Sequence, residues 1–444
     1  MSNSEHQLNQ VLGFWDLMAA SVGQIIGAGI MSLTGAAIAM TGKSVPIAFI
    51  ISAFLTIFRA VPYVFINSTI RLNGGAYTIV QLLVSKKLGG FYTIIATLGQ
   101  LSLAMYALSA ADYLMGLIGM GNRMIIAIII LTLFYVLNLF GVDKFAAIQN
   151  IIVAALVIAL IVFTLFGIGK VDWAGMTREG EWMTDGIMGL LQASSLLTFA
   201  TGGATIVANL AGEAKNPTRD IPLVIIVSTV AVAILYAVMA CVAAGVLPLE
   251  QTAGQSLVNT ARAILPYPLF VFFILAGAEC ALASTLNSQL ASSTKPLLQA
   301  TWDGWFPAGW GKLSKWKTPT LFLTVLYVIG MVTIITGMNI DAIGSLVILI
   351  GCFNEFVVAY GMLNMEKVIP EEWNSSTFHQ PRSVVMFFFI LAEICNVLNF
   401  WLNARGQATW VIIGNIVMAV VAVAYSFWRY NSGKVNAEIH YEKA

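Results

Sequence analysis

Charged residues are scarce in this chain. Only 10% of its 444 residues are Asp, Glu, Lys or Arg and 59% are hydrophobic, whereas a soluble domain carries about 25% charged residues. A folded chain of this composition has too little polar surface to face water, so lipid is expected to be its solvent. The net charge of +1 gives no reason to expect a nucleic-acid partner.

Cysteine and histidine are also few. The four cysteines lie in apolar runs without a CxxC pair, which predicts neither disulfides nor a zinc site. The three histidines fall in tails or loops, and the motifs HExxH and GxSxG are absent. We therefore expect no catalytic constellation, no metal site and no cofactor, and an enzyme is disfavoured.

Long apolar stretches recur along the whole chain. A membrane-crossing helix needs about 20 mostly apolar residues. Twelve such spans are predicted: 12–39, 44–69, 90–118, 122–140, 145–168, 187–210, 220–246, 268–300, 319–337, 341–364, 383–403 and 407–430. No large soluble domain fits between them, so the sequence predicts an all-α integral membrane protein. The polar segment 1–10 lacks a cleavage signal and is not expected to be a secretory signal peptide.

Lysine and arginine are unevenly distributed between alternate connections. If the N-terminus is cytoplasmic, most of the 22 Lys and Arg residues lie at the inner side, as the positive-inside rule requires. This predicts an even number of spans, with tails 1–11 and 431–444 both in the cytoplasm and the chain in the inner membrane.

Glycines interrupt spans 1 and 6 near their middles. Gly27 and Gly29 lie in span 1, and Gly202 and Gly203 in span 6. Because glycine weakens a helix by about 1 kcal/mol relative to alanine, both stretches are expected to unwind. Close packing through small residues is the alternative interpretation.

The two interruptions hold corresponding places if spans 1–10 form two five-helix halves. The halves would cover 12–168 and 187–364, followed by two further helices at 383–430. Because five is odd, they would insert with opposite orientations. Paired glycine interruptions in corresponding positions are typical of a transporter's binding site.

Unwound backbone at this depth offers hydrogen-bonding groups to a ligand. Free amides near Gly29 and Ile30 favour an anion such as a carboxylate. Free carbonyls between Phe199 and Gly202 would accept bonds from an ammonium group. An amino acid carries both groups on one carbon, so a zwitterion is the expected ligand.

Four segments resemble motifs of the amino acid–polyamine–organocation transporters, in the same order and spacing. They are Gly27-Ala28-Gly29-Ile30, Asn73-Gly74-Gly75-Ala76-Tyr77, the loop 212–222 (GEAKNPTRDIP), and Asp303-Gly304-Trp305-Phe306-Pro307 with the later Thr318-Pro319. The resemblance covers essentially the whole chain. It implies the LeuT-like fold, with twelve helices, an inverted five-helix repeat and alternating access around helices 1, 3, 6, 8 and 10.

The resemblance also implies a substrate site. The carboxylate would bind at the helix 1 break and the α-amino group at the helix 6 break, with Phe199 as an aromatic gate. The implied substrate-binding residues are Ile26, Gly27, Ala28, Gly29, Ile30, Leu103, Ala104, Tyr106, Phe199, Ala200, Gly202, Gly203 and Gln289. Tyr236 in span 7 is expected to brace helix 1 or, alternatively, to be a packed aromatic residue.

Several positions depart from the family pattern. Leu156 stands where many members have a lysine, and Thr205 stands where members for cationic substrates carry a glutamate. The lack of a charge at Leu156 and Thr205 favours a neutral amino acid as substrate. Arg71 replaces a proline and Phe65 an acidic residue, which sets the chain apart from the usual family pattern. A cationic amino acid or polyamine antiporter, and a sensor that does not transport, are kept as alternatives.

Four ionisable residues lie deep within spans. Such groups are costly and are functional candidates by default, although a structural ion pair or a neutral carboxyl is the alternative. Because helices 8 and 10 line the path in the resembled family, Glu279 is the favoured proton-coupling candidate, ahead of Glu355. Arg59 is the third candidate and needs an anionic partner, which is Glu279, Glu355 or Glu393.

Coupling and assembly are left open by the sequence. Ser284, Thr285 and Ser288 of span 8 form a candidate sodium site by resemblance, although such hydroxyls more often bond to the preceding turn. Proton symport and exchange are the other options. A channel would need a continuous polar pathway, which the scattered polar residues do not provide. The expected partners are an amino acid and the bilayer, with the chain as a monomer or homodimer.

Overall fold

The computed structural model describes residues 12–27, 29–72, 74–140, 145–212, 214–316, 318–436 and 441–443. The predicted site residue Ala28 and the N-terminal tail 1–11 lie outside the described residues. Within them the chain is overwhelmingly helical.

Ten helical regions of the described chain are long and apolar enough to cross a membrane. They are α1 (Phe14–Thr41), α2 (Val45–Asn67), α3 (Lys86–Ile118), α5 (Asn150–Ile168), α6 (Gly186–Leu210), α7 (Pro217–Gly245), α8 (Tyr267–Trp302), α10 (Ile340–Val368), α11 (Arg382–Arg405) and α12 (Val411–Asn431). Two shorter apolar helices, α4 (Arg123–Leu139) and α9 (Thr320–Ile335), lie at predicted spans 4 and 9.

This architecture confirms the predicted all-α, multi-pass membrane protein. Helices α4 and α9 have 17 and 16 residues, fewer than the roughly 20 that a crossing needs. The count of twelve crossings therefore stays a prediction, as do the inverted repeat, the bounds of its halves and the state of assembly.

Short elements join the long helices. The helical ones are Ala76–Ile79, Val80–Val84, Trp173–Met176, Leu249–Gln251, Val258–Ile264, Ala308–Gly311 and Pro370–Ser375. Two three-residue strands, β1 (Ile70–Leu72) and β2 (Tyr441–Lys443), pair antiparallel. This ribbon joins the segment after α2 to the C-terminal end of the chain, a pairing that no sequence pattern predicts for strands so short.

Helix α1 is interrupted near its middle. It is α-helical at Phe14–Ile25, π-helical at Gly29–Leu33 and α-helical again at Thr34–Thr41. The backbone leaves the first helix at Ile26, whose φ of −82° and ψ of 94° are extended. The predicted unwinding around Gly27 is therefore present.

Helix α6 is interrupted as well. An α-helix at Gly186–Leu196 continues as a turn at Thr198–Thr201, and a 3₁₀ segment follows at Ala204–Leu210. Between them Gly202 is extended and Gly203 has a φ of 107°. Residues with a Cβ rarely adopt that conformation, so glycine at this position lets the chain break here.

Two of the family-like motifs meet at one end of the helical bundle. The hydroxyl of Tyr77 donates to Asp303 Oδ2 at 2.5 Å, and Gln81 Nε2 donates to the Tyr77 oxygen at 2.8 Å. Gln299 donates to the other carboxylate oxygen of Asp303 at 3.0 Å. The segments that follow α2 and α8 are thus joined by one hydrogen-bonded group, which gives a physical reason for these residue types.

The connections at the other end are joined by an ion pair. Lys43, after α1, lies 2.6 Å from Glu181 in the segment between α5 and α6. The hydrogen bond from the ammonium group lowers the pKa of the Glu181 carboxyl. This contact ties together the connections that precede α2 and α6.

Candidate substrate site

The interruptions of α1 and α6 lie directly against each other. A methyl group added at Gly29 would overlap the backbone of Ala200, and one at Gly203 would lie 3.2 Å from the carbonyl oxygen of Gln24. The absence of a side chain at Gly29 and Gly203 thus allows the two broken segments to touch.

A cavity of about 220 Å³ opens beside this contact. A cavity of this size suits a small ligand. Besides both interruptions, α2, α3, α7 and α10 contribute to its wall. The predicted site residues that line it are Gly27, Gly29, Tyr106, Phe199, Gly202 and Gly203.

The other predicted site residues lie behind this wall. Ile26, Ile30, Leu103, Ala104 and Ala200 are fully buried in the hydrophobic core and are not among the cavity-lining residues.

The first half of α6 ends next to the cavity. Gly202 N–H donates to the carbonyl of Thr198, and the extended backbone of Gly202 then takes the chain out of the helix. The last carbonyls of a helix have no partner within it, and Phe199 and Gly202 line the cavity. Carbonyls at this helix end can therefore face a donor in the cavity.

The carbonyls around the α1 interruption are instead bonded by side chains. The hydroxyl of Tyr236 donates to the Ile25 carbonyl at 3.1 Å, and that of Thr285 to the Gly23 carbonyl at 3.1 Å. The Tyr113 hydroxyl donates to the Met31 carbonyl at 2.7 Å. Helices α7, α8 and α3 thus each brace the broken α1.

Thr285 lies where a sodium site was considered. Its hydroxyl is 2.9 Å from the carbonyl of Ala281, one turn earlier, as well as close to Gly23. A methyl group at Gly27 would come within 2.7 Å of the same hydroxyl oxygen. These contacts make Thr285 a packing partner of α1, and its role in ion coupling stays a prediction.

A chain of three side-chain amides begins at the cavity wall. Gln24 of α1 donates to Gln289 of α8 at 3.0 Å, and Gln289 donates to Gln100 of α3 at 3.1 Å. Gln24 also lines the cavity. Sequence reasoning missed Gln24 and Gln100, and it named Gln289 as a substrate contact without predicting that its amide bonds to two other helices.

Aromatic rings close another part of the cavity. The rings of Tyr106 on α3 and Phe199 on α6 have centroids 6.1 Å apart and are tilted by 39°. Both residues line the cavity. Phe199, the predicted gate residue, therefore lies at the cavity wall, although its gating role stays a prediction.

An ion pair forms the polar part of the wall. Arg59 Nε on α2 lies 2.7 Å from Glu355 Oε2 on α10, and both residues line the cavity. Of the three alternatives for the partner of Arg59, the structure therefore selects Glu355. Arg59 Nε also donates to Asn396 Oδ1 on α11 at 2.8 Å.

The remaining deep carboxylates lie elsewhere. Glu279 ends a π-helical stretch of α8, Phe273–Glu279, and its Oε1 atom is buried without a hydrogen-bond partner among the described residues. Neither Glu279 nor Glu393 is among the residues that line the cavity. Any action of Glu279 on a substrate would therefore be indirect.

Substitution of Gly29 tests whether the contact between the two interruptions matters. We expect Gly29→Ala to weaken substrate binding at least tenfold, because the new methyl group overlaps Ala200 and pushes the interruptions apart. The matched control is Gly414→Ala in α12, where a methyl group meets nothing within 4 Å. Binding to both purified variants is the measurement, and equal affinities would contradict the assigned geometry.

Comparison with known proteins identifies the family of this chain. Residues 12–424 match the sequence model of the amino acid permease family. The branched-chain amino acid permease BcaP of Bacillus subtilis is 24% identical over 94% of this chain and 94% of its own length. The vacuolar cationic amino acid transporter 4 of Arabidopsis thaliana is 24% identical over 70% of this chain and 56% of its own length.

A third relative differs in its described substrate. The methylthioribose transporter of Bacillus subtilis is 23% identical over 92% of this chain and 93% of its own length. The family match nevertheless extends over nearly the whole chain and confirms the resemblance carried by the motifs. This protein belongs to the amino acid permease family.

Proposed function

We propose that this protein carries uncharged amino acids across the membrane by alternating access, with the substrate held between the interruptions of α1 and α6. The observation that carries the proposal is the end of the first half of α6 at Thr201, where the last helical carbonyls lack partners within the helix, beside a cavity that Phe199, Gly202 and α1 line. An ammonium group offers three donors to such carbonyls. A carboxylate suits the amides where the second half of α1 begins.

The cavity wall supports an uncharged substrate side chain. Its charged members, Arg59 and Glu355, offset each other, and Ile25, Val347 and Ile348 add apolar surface. Similarity to a branched-chain amino acid permease agrees with this choice. Similarity to a plant cationic amino acid transporter favours a second candidate, the exchange of cationic amino acids.

Counterflow in proteoliposomes tests the proposed function. Vesicles preloaded with unlabelled leucine are expected to accumulate labelled leucine well above protein-free vesicles, and labelled lysine far less. Faster exchange of lysine would favour the cationic alternative. Binding of leucine without any flux would identify a sensor and contradict transport.

We also propose Glu279 as the group that couples transport to protons. Its buried, unpaired Oε1 atom supports this role, because a carboxyl group in such surroundings is least costly in its neutral form and can gain and lose a proton as the surroundings change. Glu355 suits the role less well, since protonating it would leave the buried charge of Arg59 without its partner.

Glu279→Gln separates coupling from transport. The variant is expected to lose the stimulation of uptake by an inward proton gradient and to keep leucine exchange within about twofold of wild type, because the residue lies outside the cavity. Glu393→Gln, also a deep carboxylate outside the cavity wall, is the matched control and is expected to keep the stimulation. Gradient-driven accumulation that survives in Glu279→Gln would show the assignment to be wrong.

The uneven distribution of Lys and Arg supports one orientation of the chain. In it both termini face the cytoplasm and the protein lies in the inner membrane. The group formed by Tyr77 and Asp303 is then at the cytoplasmic end, and the pair Lys43–Glu181 is at the outer end.

A further inference from the structure

The cavity contains a carboxylate whose charge is already neutralised by the protein. Glu355 Oε2 lies 2.7 Å from Arg59 Nε, with the side chain of Arg59 only 9% exposed and that of Glu355 29% exposed. Both side chains belong to the wall that also contains the two interruptions. An amino acid bound at the interruptions would therefore have this pair within its own cavity.

Arg59 also bonds to residues outside the cavity wall. Its Nε–H donates to Asn396 Oδ1, and another guanidinium nitrogen approaches Cys352 Sγ at 3.8 Å. With the Asn399 amide turned to satisfy its neighbours, its oxygen accepts from Arg59 Nη1 at 2.7 Å. Helices α10 and α11 thus hold the guanidinium in place from behind.

Glu355 depends on Arg59 for its counter-charge. Its Oε2 atom is buried 2.7 Å from Arg59 Nε, and no other Lys or Arg of the described residues lines the cavity. In a cavity of this kind, a single unpaired carboxylate would attract the ammonium or guanidinium group of a cationic side chain.

We propose that Arg59 is a built-in counter-ion that excludes substrates with cationic side chains. It already balances the charge of Glu355, so that a lysine- or arginine-like substrate would bring a second positive charge to a neutral site and would lose hydration without a net negative charge to offset that cost. An uncharged side chain carries no such penalty. The proposal rests on the proposed transport of amino acids and names the residue that sets its charge selectivity.

The alternative is that the pair serves only to hold α2, α10 and α11 together. If the pair is only structural, its removal lowers the stability of the protein. A variant that still folds without it would keep the substrate selectivity of the wild type. The two roles are separated by a gain of function, which loss of packing cannot produce.

Arg59→Met is the test variant, because methionine keeps much of the side-chain length and removes the charge. In proteoliposomes it is expected to take up labelled lysine by counterflow and to bind lysine at least tenfold more tightly than wild type. Arg59→Lys, which keeps the positive charge, is expected to exclude lysine as wild type does. Adding Glu355→Gln to Arg59→Met is expected to abolish the gain, because the attracting carboxylate is then gone.

The controls use a second ion pair that involves α10. Arg382 and Glu366 lie 3.0 Å apart, outside the cavity, with side chains 70% and 55% exposed. Arg382→Met is expected to leave the selectivity between leucine and lysine unchanged. A gain of lysine uptake in this variant would show that the effect is not specific to the cavity.

Two further measurements keep the proposal testable if Arg59→Met fails to fold. Glu355→Gln leaves Arg59 as an unpaired cation and is expected to gain affinity for glutamate at least tenfold. The wild-type protein is expected to accept norleucine and to reject lysine, which differs from it by the terminal ammonium group.

The proposal is overturned if wild type takes up norleucine and lysine equally well. It is also overturned if folded Arg59→Met transports leucine without gaining lysine, or if folded Glu355→Gln transports leucine without gaining glutamate. Failure of the proposed transport function has a different signature, because wild type would then exchange no amino acid at all.

Discussion

A backbone carbonyl or amide that lacks a hydrogen bond cannot remain exposed to the hydrocarbon of a membrane. Helices α1 and α6 both break near their middles, so each break must be covered by protein or by a ligand. The breaks are treated differently. Side chains of Tyr236, Thr285 and Tyr113 bond the carbonyls around the α1 break, whereas the first half of α6 ends beside the cavity, where the last carbonyls of a helix lack partners within it.

This asymmetry organises the rest of the site. Contacts from α3, α7 and α8 hold the broken α1, while Gly29 and Gly203 let α6 approach it closely. The amide chain through Gln24 and Gln289 ties α1 to α8 and α3. In the cavity wall, α2 and α10 contribute a neutralised ion pair. The cavity between them therefore combines fixed backbone dipoles with side chains that carry no net charge.

Much of the architecture follows from local features of the sequence. Apolar runs predict where helices lie, because the length needed to cross a bilayer is fixed, and clustered glycines at Gly27–Gly29 and Gly202–Gly203 predict where two of them break. Phe199 and Tyr106 were expected at the site from the resemblance, and both line the cavity. These predictions depend on chain position and not on how one helix is rotated against another.

Other features depend on that rotation and could not be predicted. Three glutamates were equivalent partners for Arg59, and only the packing of α2 against α10 selects Glu355. The same is true of Gln24, which reaches Gln289 at a separation of 265 residues. Leu103 and Ala104 were placed on the cavity face of α3 by alignment, but their side chains lie in the core. A shift of one residue around a helix is enough to cause such a difference.

The central claim is that two sets of main-chain groups hold the two charged groups of one amino acid. The most direct measurement is competition for labelled leucine by leucine methyl ester, by N-acetyl-leucine and by isoamylamine, each of which lacks one charged group but keeps the side chain. We predict that all three analogues bind at least about 100-fold more weakly than leucine, since each analogue leaves one set of backbone groups without its charged partner. Any of them competing as well as leucine would contradict it.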